Sequence, residues 1–167
     1  QLLWINLLTD GLPALALGVD PASPNIMERP PRSPKESILT KSMFIDILFV
    51  GSLMCAGTLI LFALNLPYGG THAITVAFTS VVMFEMVRIQ SVRSKYKIGI
   101  FSNKKLILAV AISVLLQLVV IYVPFFNPIF ETTAIGLYDW AQILLASGVL
   151  FIIIWAKEKI IKGNPWD

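Results

Sequence analysis

Very little of what a water-soluble enzyme is built from is present in this sequence. Asp, Glu, Lys and Arg make up 14% of the 167 residues against 56% hydrophobic ones, and the mean hydropathy is +0.78. An ordinary soluble domain carries about 25% charged residues, so the membrane class comes first. Cysteine is nearly absent. Cys55 alone cannot form an intramolecular disulfide, and in its apolar run it is expected to act as a small packing residue. The single histidine, His72, has no His or Cys near it in sequence, which is a poor basis for zinc or copper, and it is expected in solvent. A basic stretch followed by an apolar segment and a cleavage site is missing, and the chain opens on Gln1. The sequence is therefore expected to be a piece of a longer protein.

Long apolar runs are what it has. A bilayer core about 30 Å thick takes about 20 helical residues, and the runs 43–66, 72–92, 104–123 and 138–156 meet that length. A fifth run, 1–18, reads as a partial span, with 19–42 as the loop after it and 157–167 as a tail. Pro and Gly punctuate the breaks, as in N-L-P-Y-G-G-T-H from Asn65 to His72 and V-P-F-F-N-P from Val123 to Pro128. All 13 basic residues fall in three clusters. Arg29, Arg32, Lys35 and Lys41 follow the partial span; Arg88, Arg93, Lys95, Lys97, Lys104 and Lys105 bracket the third connection; Lys157, Lys159 and Lys162 follow the last span. Cytoplasmic segments carry the Lys and Arg excess of membrane proteins. The alternation thus puts these three segments and the C-terminus in the cytoplasm, and the start of the chain on the outer or lumenal side. A formal net charge of +3 needs no nucleic-acid partner here, because juxtamembrane basic groups favour an anionic lipid leaflet. Tyr68, Tyr122, Tyr138, Trp140 and Trp155 near the span ends suit an aromatic belt. The expected fold class is an all-α membrane protein, integral and multi-pass, a bundle of one partial and four full transmembrane helices.

Polar residues inside these runs carry the chemistry. Asn6, Thr9 and Asp10 stand at i, i+3 and i+4, so one helix face presents an amide carbonyl, a hydroxyl and a carboxylate. Gly11 and Pro13 follow and weaken the helical ladder, which at membrane depth is tolerated only where backbone faces protein or a wet cavity. A broken helix with oxygen ligands at the break is a recurring cation site. The competing reading pairs Asp10 with a basic residue, or sets it near a helix end. Glu85 is the second acid within a span, roughly 20 Å along its helix at 1.5 Å per residue. Its bland reading is an ion pair with Arg88, three residues on. Asp46, beside Lys41 in sequence, reads as an interfacial charge. The donors are hard oxygens, suited to Ca²⁺, Mg²⁺ or Na⁺ rather than thiophilic metals. Since Ca²⁺ takes 6–8 oxygens, a complete site would draw further ligands from other helices.

The stretches L-L-W-I-N-L-L-T-D-G-L-P-A-L-A-L-G-V-D-P from Leu2 to Pro21 and I-M-E-R-P-P-R-S-P-K-E-S from Ile26 to Ser37 resemble the sixth transmembrane helix and following loop of P-type cation ATPases. The sarcoplasmic and endoplasmic-reticulum-type calcium pumps are the nearest likeness. The later spans are similar in order to helices seven to ten. The resemblance implies that Asn6, Thr9, Asp10 and Glu85 are metal ligands, with Asp10 shared between two Ca²⁺ ions on an unwound helix, and Thr9 with Glu85 marking a two-ion pump. It also implies that the loop Glu28 to Lys35 meets the cytoplasmic phosphorylation domain of the parent chain, alongside further transmembrane helices. A D-K-T-G phosphorylation motif does not occur in the sequence, so Mg²⁺ and ATP are expected to act only in other domains of the parent, a translocase. Carboxylates emptied of Ca²⁺ in low dielectric take up protons, giving proton counter-transport. The alternatives are a pump for Na⁺ or Mn²⁺, and a non-catalytic membrane scaffold.

Overall fold

The computed structural model describes residues 1–21, 41–95, 99 and 101–160, apart from the side chains of Thr9, Asp10 and Lys95. The loop Glu28 to Lys35 and the end of the tail lie outside the described residues. Those described form helices and connections without a strand: α1 (Leu2–Ile5), a π-helical segment (Asn6–Gly11), α2 (Leu12–Leu17), α3 (Lys41–Asn65), a 3₁₀ turn (Leu66–Tyr68), α4 (Gly70–Lys95), α5 (Lys104–Tyr122), α6 (Asn127–Phe130) and α7 (Leu137–Ile160). Among them α3, α4, α5 and α7 are long and apolar enough to cross a membrane. The molecule is an all-α membrane bundle.

Helix ends follow local chemistry. Asn103 caps α5, its side chain accepting from the Leu106 N–H at 3.0 Å. Asp139 sits in the first turn of α7 and accepts from the Gly136 N–H at 2.7 Å, while Lys157 and Lys159 occupy the last turn, so both ends suit the helix dipole. That basic last turn carries α7 to Ile160, a turn beyond the apolar run that ends at 156. The short α6 has no counterpart among the apolar runs of the sequence. Pro128 opens it, and Glu131 stops it in a left-handed conformation at φ 50°.

The largest core cluster joins Met54 and Leu61 of α3, Val76 and Phe84 of α4, Ile121 of α5, and Ile143, Leu150 and Ile154 of α7. Gly57 lets α3 close on α4: a Cβ there would stand 3.1 Å from the Phe84 ring. A second cluster sets Ala16 of α2 against Leu106 and Ala109 of α5. Outward faces are apolar too, with Phe44, Leu59, Leu108, Leu115, Leu145 and Ile152 all exposed. That suits acyl chains as the surrounding medium and would be untenable in water. Cys55 lies on such an exposed face of α3, so it does not fill the core as its apolar neighbours suggested.

Polar contacts mark both ends of the bundle. At one end Asn65 Nδ2 donates to Gln142 Oε1 at 2.8 Å, and Trp140 Nε1 to the Tyr122 hydroxyl at 2.8 Å, which donates to Ile135 O. His72 Nε2 lies 3.3 Å from Asp139 Oδ1 with 19% of its side chain exposed, so it is packed against α7 and is not the solvated residue expected from an outer loop. At the other end Lys157 Nζ meets Asp46 Oδ1 at 2.6 Å and covers the Phe49 ring. Asp46 thus reaches across to α7 for a partner.

Candidate cation-ligand helix and its anchors

The first rod, Leu2–Leu17, is continuous but not regular. Its π-helical segment, Asn6–Gly11, contains Asn6, Thr9 and Asp10. Pro13 explains the distortion. A proline ring in a helix removes one hydrogen bond and crowds the carbonyl four residues back, here that of Thr9. Widening the turn relieves the crowding, and Gly11 takes up the change with ψ −84°. The helix expected to be broken or unwound at this point is continuous, and underwound there as a π-helical turn. Such bulges recur at functional sites because they free backbone carbonyls from the ordinary ladder.

One side of the rod is fixed on α5. Leu8, 1% exposed, faces inward, and its carbonyl accepts from Ser113 Oγ at 3.0 Å. Trp4 Nε1 donates to Gln117 Oε1 at 3.3 Å, and Gln1 Nε2 to Phe130 O at 2.7 Å. Gln117, itself 1% exposed, donates onward to Thr79 Oγ1 of α4 at 3.3 Å. Leu106, Ala109, Ser113, Gln117 and Val120 make one buried stripe along α5, at the three-and-four spacing that lines a helix face. The small pair Ala109 and Ser113 is where the two helices come close.

Asn6 is exposed, on a face turned away from this bundle. Its amide is therefore open to a partner from outside it. Glu85 is half-buried on α4, and α4 packs against the π-helical segment. The backbone thus brings the segment bearing Asn6, Thr9 and Asp10 next to the helix bearing Glu85. Among the described residues no group of three or more Asp, Glu, His or Cys forms a self-sufficient metal cage.

A second polar assembly leaves no trace in the sequence. Arg93, near the end of α4, is 2% exposed and binds both oxygens of Asp20, Nε to Oδ2 at 2.9 Å and Nη2 to Oδ1 at 3.0 Å. It also donates to Ser102 Oγ at 2.8 Å and Gln90 Oε1 at 3.1 Å. Asn103 Nδ2 joins the cluster, donating to Asp20 Oδ1 at 3.0 Å and Ala16 O at 2.8 Å. Such a fork on a carboxylate is stronger and more directional than a single charge contact. In the sequence Arg93 is only one member of a loop-flanking basic cluster. Its pairing with a residue 73 positions away leaves no local signal.

Long apolar helices packed into a bundle define a class, the multi-pass membrane protein. The chain belongs to a family within it: residues 1–160 match the model described as "Cation transporting ATPase, C-terminus", so this is a C-terminal membrane region of a P-type cation-transporting ATPase. It is 36% identical to the "Calcium-transporting ATPase 1" of Saccharomyces cerevisiae over 171 residues, covering 95% of this chain and 18% of the relative. With the Bacillus subtilis "Calcium-transporting ATPase" it shares 37% over 155 residues, 89% of this chain and 17% of the relative. The "Calcium-transporting ATPase type 2C member 1" of Mus musculus is 37% identical over 176 residues, 98% of this chain and 19% of the relative. The chain thus spans less than a fifth of the length of these relatives.

Proposed function

We propose that this bundle is the cation-binding C-terminal part of an ATP-driven calcium pump, and that Asn6, Thr9, Asp10 and Glu85 contribute oxygen ligands to Ca²⁺. One observation carries the reading: the π-helical segment bearing three of the four residues packs against α4, which bears Glu85. The names of the relatives support Ca²⁺ as cargo. Asn6, exposed on this bundle, is directed at a neighbour in the parent chain, which supplies the remaining donors that a 6–8-coordinate ion needs. Carboxylates in a low-dielectric site accept protons once the ion leaves, so outward release of Ca²⁺ is coupled to inward movement of H⁺. The basic ends of the spans and the C-terminus face the cytoplasm, and the loop Glu28 to Lys35 meets the phosphorylation domain.

The test is Asp10→Asn in the complete protein. Ca²⁺-dependent phosphorylation by ATP should be abolished. If phosphorylation persists with unchanged Ca²⁺ dependence, Asp10 is not a ligand and the reading fails.

A further inference from the structure

Two rods bear the candidate ligands, and one ion-pair cluster joins them away from the ligand level. Asp20 follows α2 in a turn held by Val19 N–H to Ala16 O at 3.3 Å and Asp20 N–H to Leu17 O at 3.0 Å. Arg93 lies on the same uninterrupted helix as Glu85, eight positions further on, or about 12 Å at 1.5 Å per residue. Between clamp and ligand level both paths are helical: α2 on one side and α4 on the other. Packed helices transmit a displacement at one end with little loss, because their interiors are close-packed and stiff.

Among the described residues the clamp takes its parts from three segments. The Ala16 carbonyl comes from the first rod and Asp20 from the turn that follows it, Arg93 and Gln90 from α4, and Ser102 and Asn103 from the turn that leads into α5. Asn103 faces three ways at once, capping α5 through Leu106 while holding Ala16 and Asp20. Sliding the first rod along α4 would break the two Arg93 bonds to Asp20 together, and it would strip the Asn103 bonds as well. The π-helical segment lies directly beyond α2, so this is the part of the rod whose position the clamp governs.

We propose that Arg93 is a positioning residue: its fork on Asp20, backed by Asn103, fixes the axial register of the Asp10 rod against the Glu85 helix and thereby sets the cation affinity. The proposal rests on the reading of Asp10 and Glu85 as ligands. Arg93 itself touches no ion. Its effect is carried by where it holds the first rod, and misplacing reacting or binding groups by an ångström costs up to about a hundredfold.

The experiment uses the complete pump in membranes and reads two quantities from ATP phosphorylation: the Ca²⁺ concentration for half-maximal level, and the maximum at saturating Ca²⁺. In Arg93→Gln and Asp20→Asn the half-maximal Ca²⁺ should rise about tenfold to a hundredfold while the maximum holds. Arg93→Lys, which keeps the charge but not the fork, should fall between these and the parent. The double variant should shift no further than the worse single, as expected of two residues acting as one unit. An unchanged half-maximal Ca²⁺, fully additive shifts, or a loss confined to the maximum in Arg93→Gln and Arg93→Lys alike would each overturn the proposal. Asp10→Asn run beside them separates the two claims: if it keeps normal Ca²⁺ dependence, the ligand assignment has failed and not the clamp.

Discussion

At the residue scale, bond type decides what each polar group contributes. Gln117 bridges Trp4 on the first rod and Thr79 on α4 while itself buried. Interhelical hydrogen bonds in membrane proteins average about 0.6 kcal/mol and reach about 1.7. Gln117→Leu is therefore expected to cost about 1 kcal/mol, measured as unfolding free energy in detergent. Phe84 is different, being 1% exposed in the main core and within contact distance of Gly57. Phe84→Ala should cost about 3–5 kcal/mol through lost contact and the cavity left behind. A smaller loss for Phe84 than for Gln117 would mean that polar bonds, not packing, hold this bundle together. The oxygen donors Asn6, Thr9, Asp10 and Glu85 stand out in the sequence because an uncharged, hydrogen-bond-free run makes each polar side chain conspicuous. Arg93 and Asp20 do not, because charges at span ends are commonplace and only tertiary structure pairs these two.

At the element scale, the π-helical segment is the feature with the most to test. Its presence follows from Pro13 crowding the carbonyl of Thr9, with Gly11 absorbing the change. Pro13→Ala restores a backbone donor and removes the crowding, so the segment is expected to tighten toward regular α-helix. Amide hydrogen exchange over 6–13 should slow, and in the complete pump the Ca²⁺ needed for half-maximal phosphorylation should rise. Exchange unchanged by the substitution would mean that the packing on α5, not Pro13, imposes the wider turn. The four long spans are legible in the sequence to within about a turn, since apolar length is fixed by bilayer thickness. What escapes such a reading is the short α6, too brief to show periodicity, and the extension of α7 by charged residues that the helix dipole favours.

At the scale of the whole molecule, the two polar ends of the bundle differ in kind. One gathers Asn65, Gln142, His72, Asp139, Tyr122 and Trp140, joined through amides, a hydroxyl, an indole and one carboxylate against an imidazole. The other holds the ion pairs of Arg93 with Asp20 and of Lys157 with Asp46. In a cysteine-free form of the complete pump, Tyr68→Cys should react with an impermeant thiol reagent applied from the non-cytoplasmic side of the membrane, and Ile160→Cys should not. The reverse pattern would invert the orientation read from the basic clusters. Lys157 and Asp46 are partly exposed, at 16% and 37%, so Lys157→Ala should cost less than about 1 kcal/mol, and less still at high salt.

The first rod rests on α5 rather than on α3, the span that follows it in the chain, and this has a bearing on biosynthesis. Asn103 reaches back to Ala16 across 87 positions of sequence, which at about 5–20 residues per second is roughly 4–17 s of translation. Throughout that interval a segment with a carboxylate and an amide among its leucines waits for the helix it docks on. Until α5 arrives, α4, which is made earlier and packs on the π-helical segment, is the helix of this bundle that can cover it.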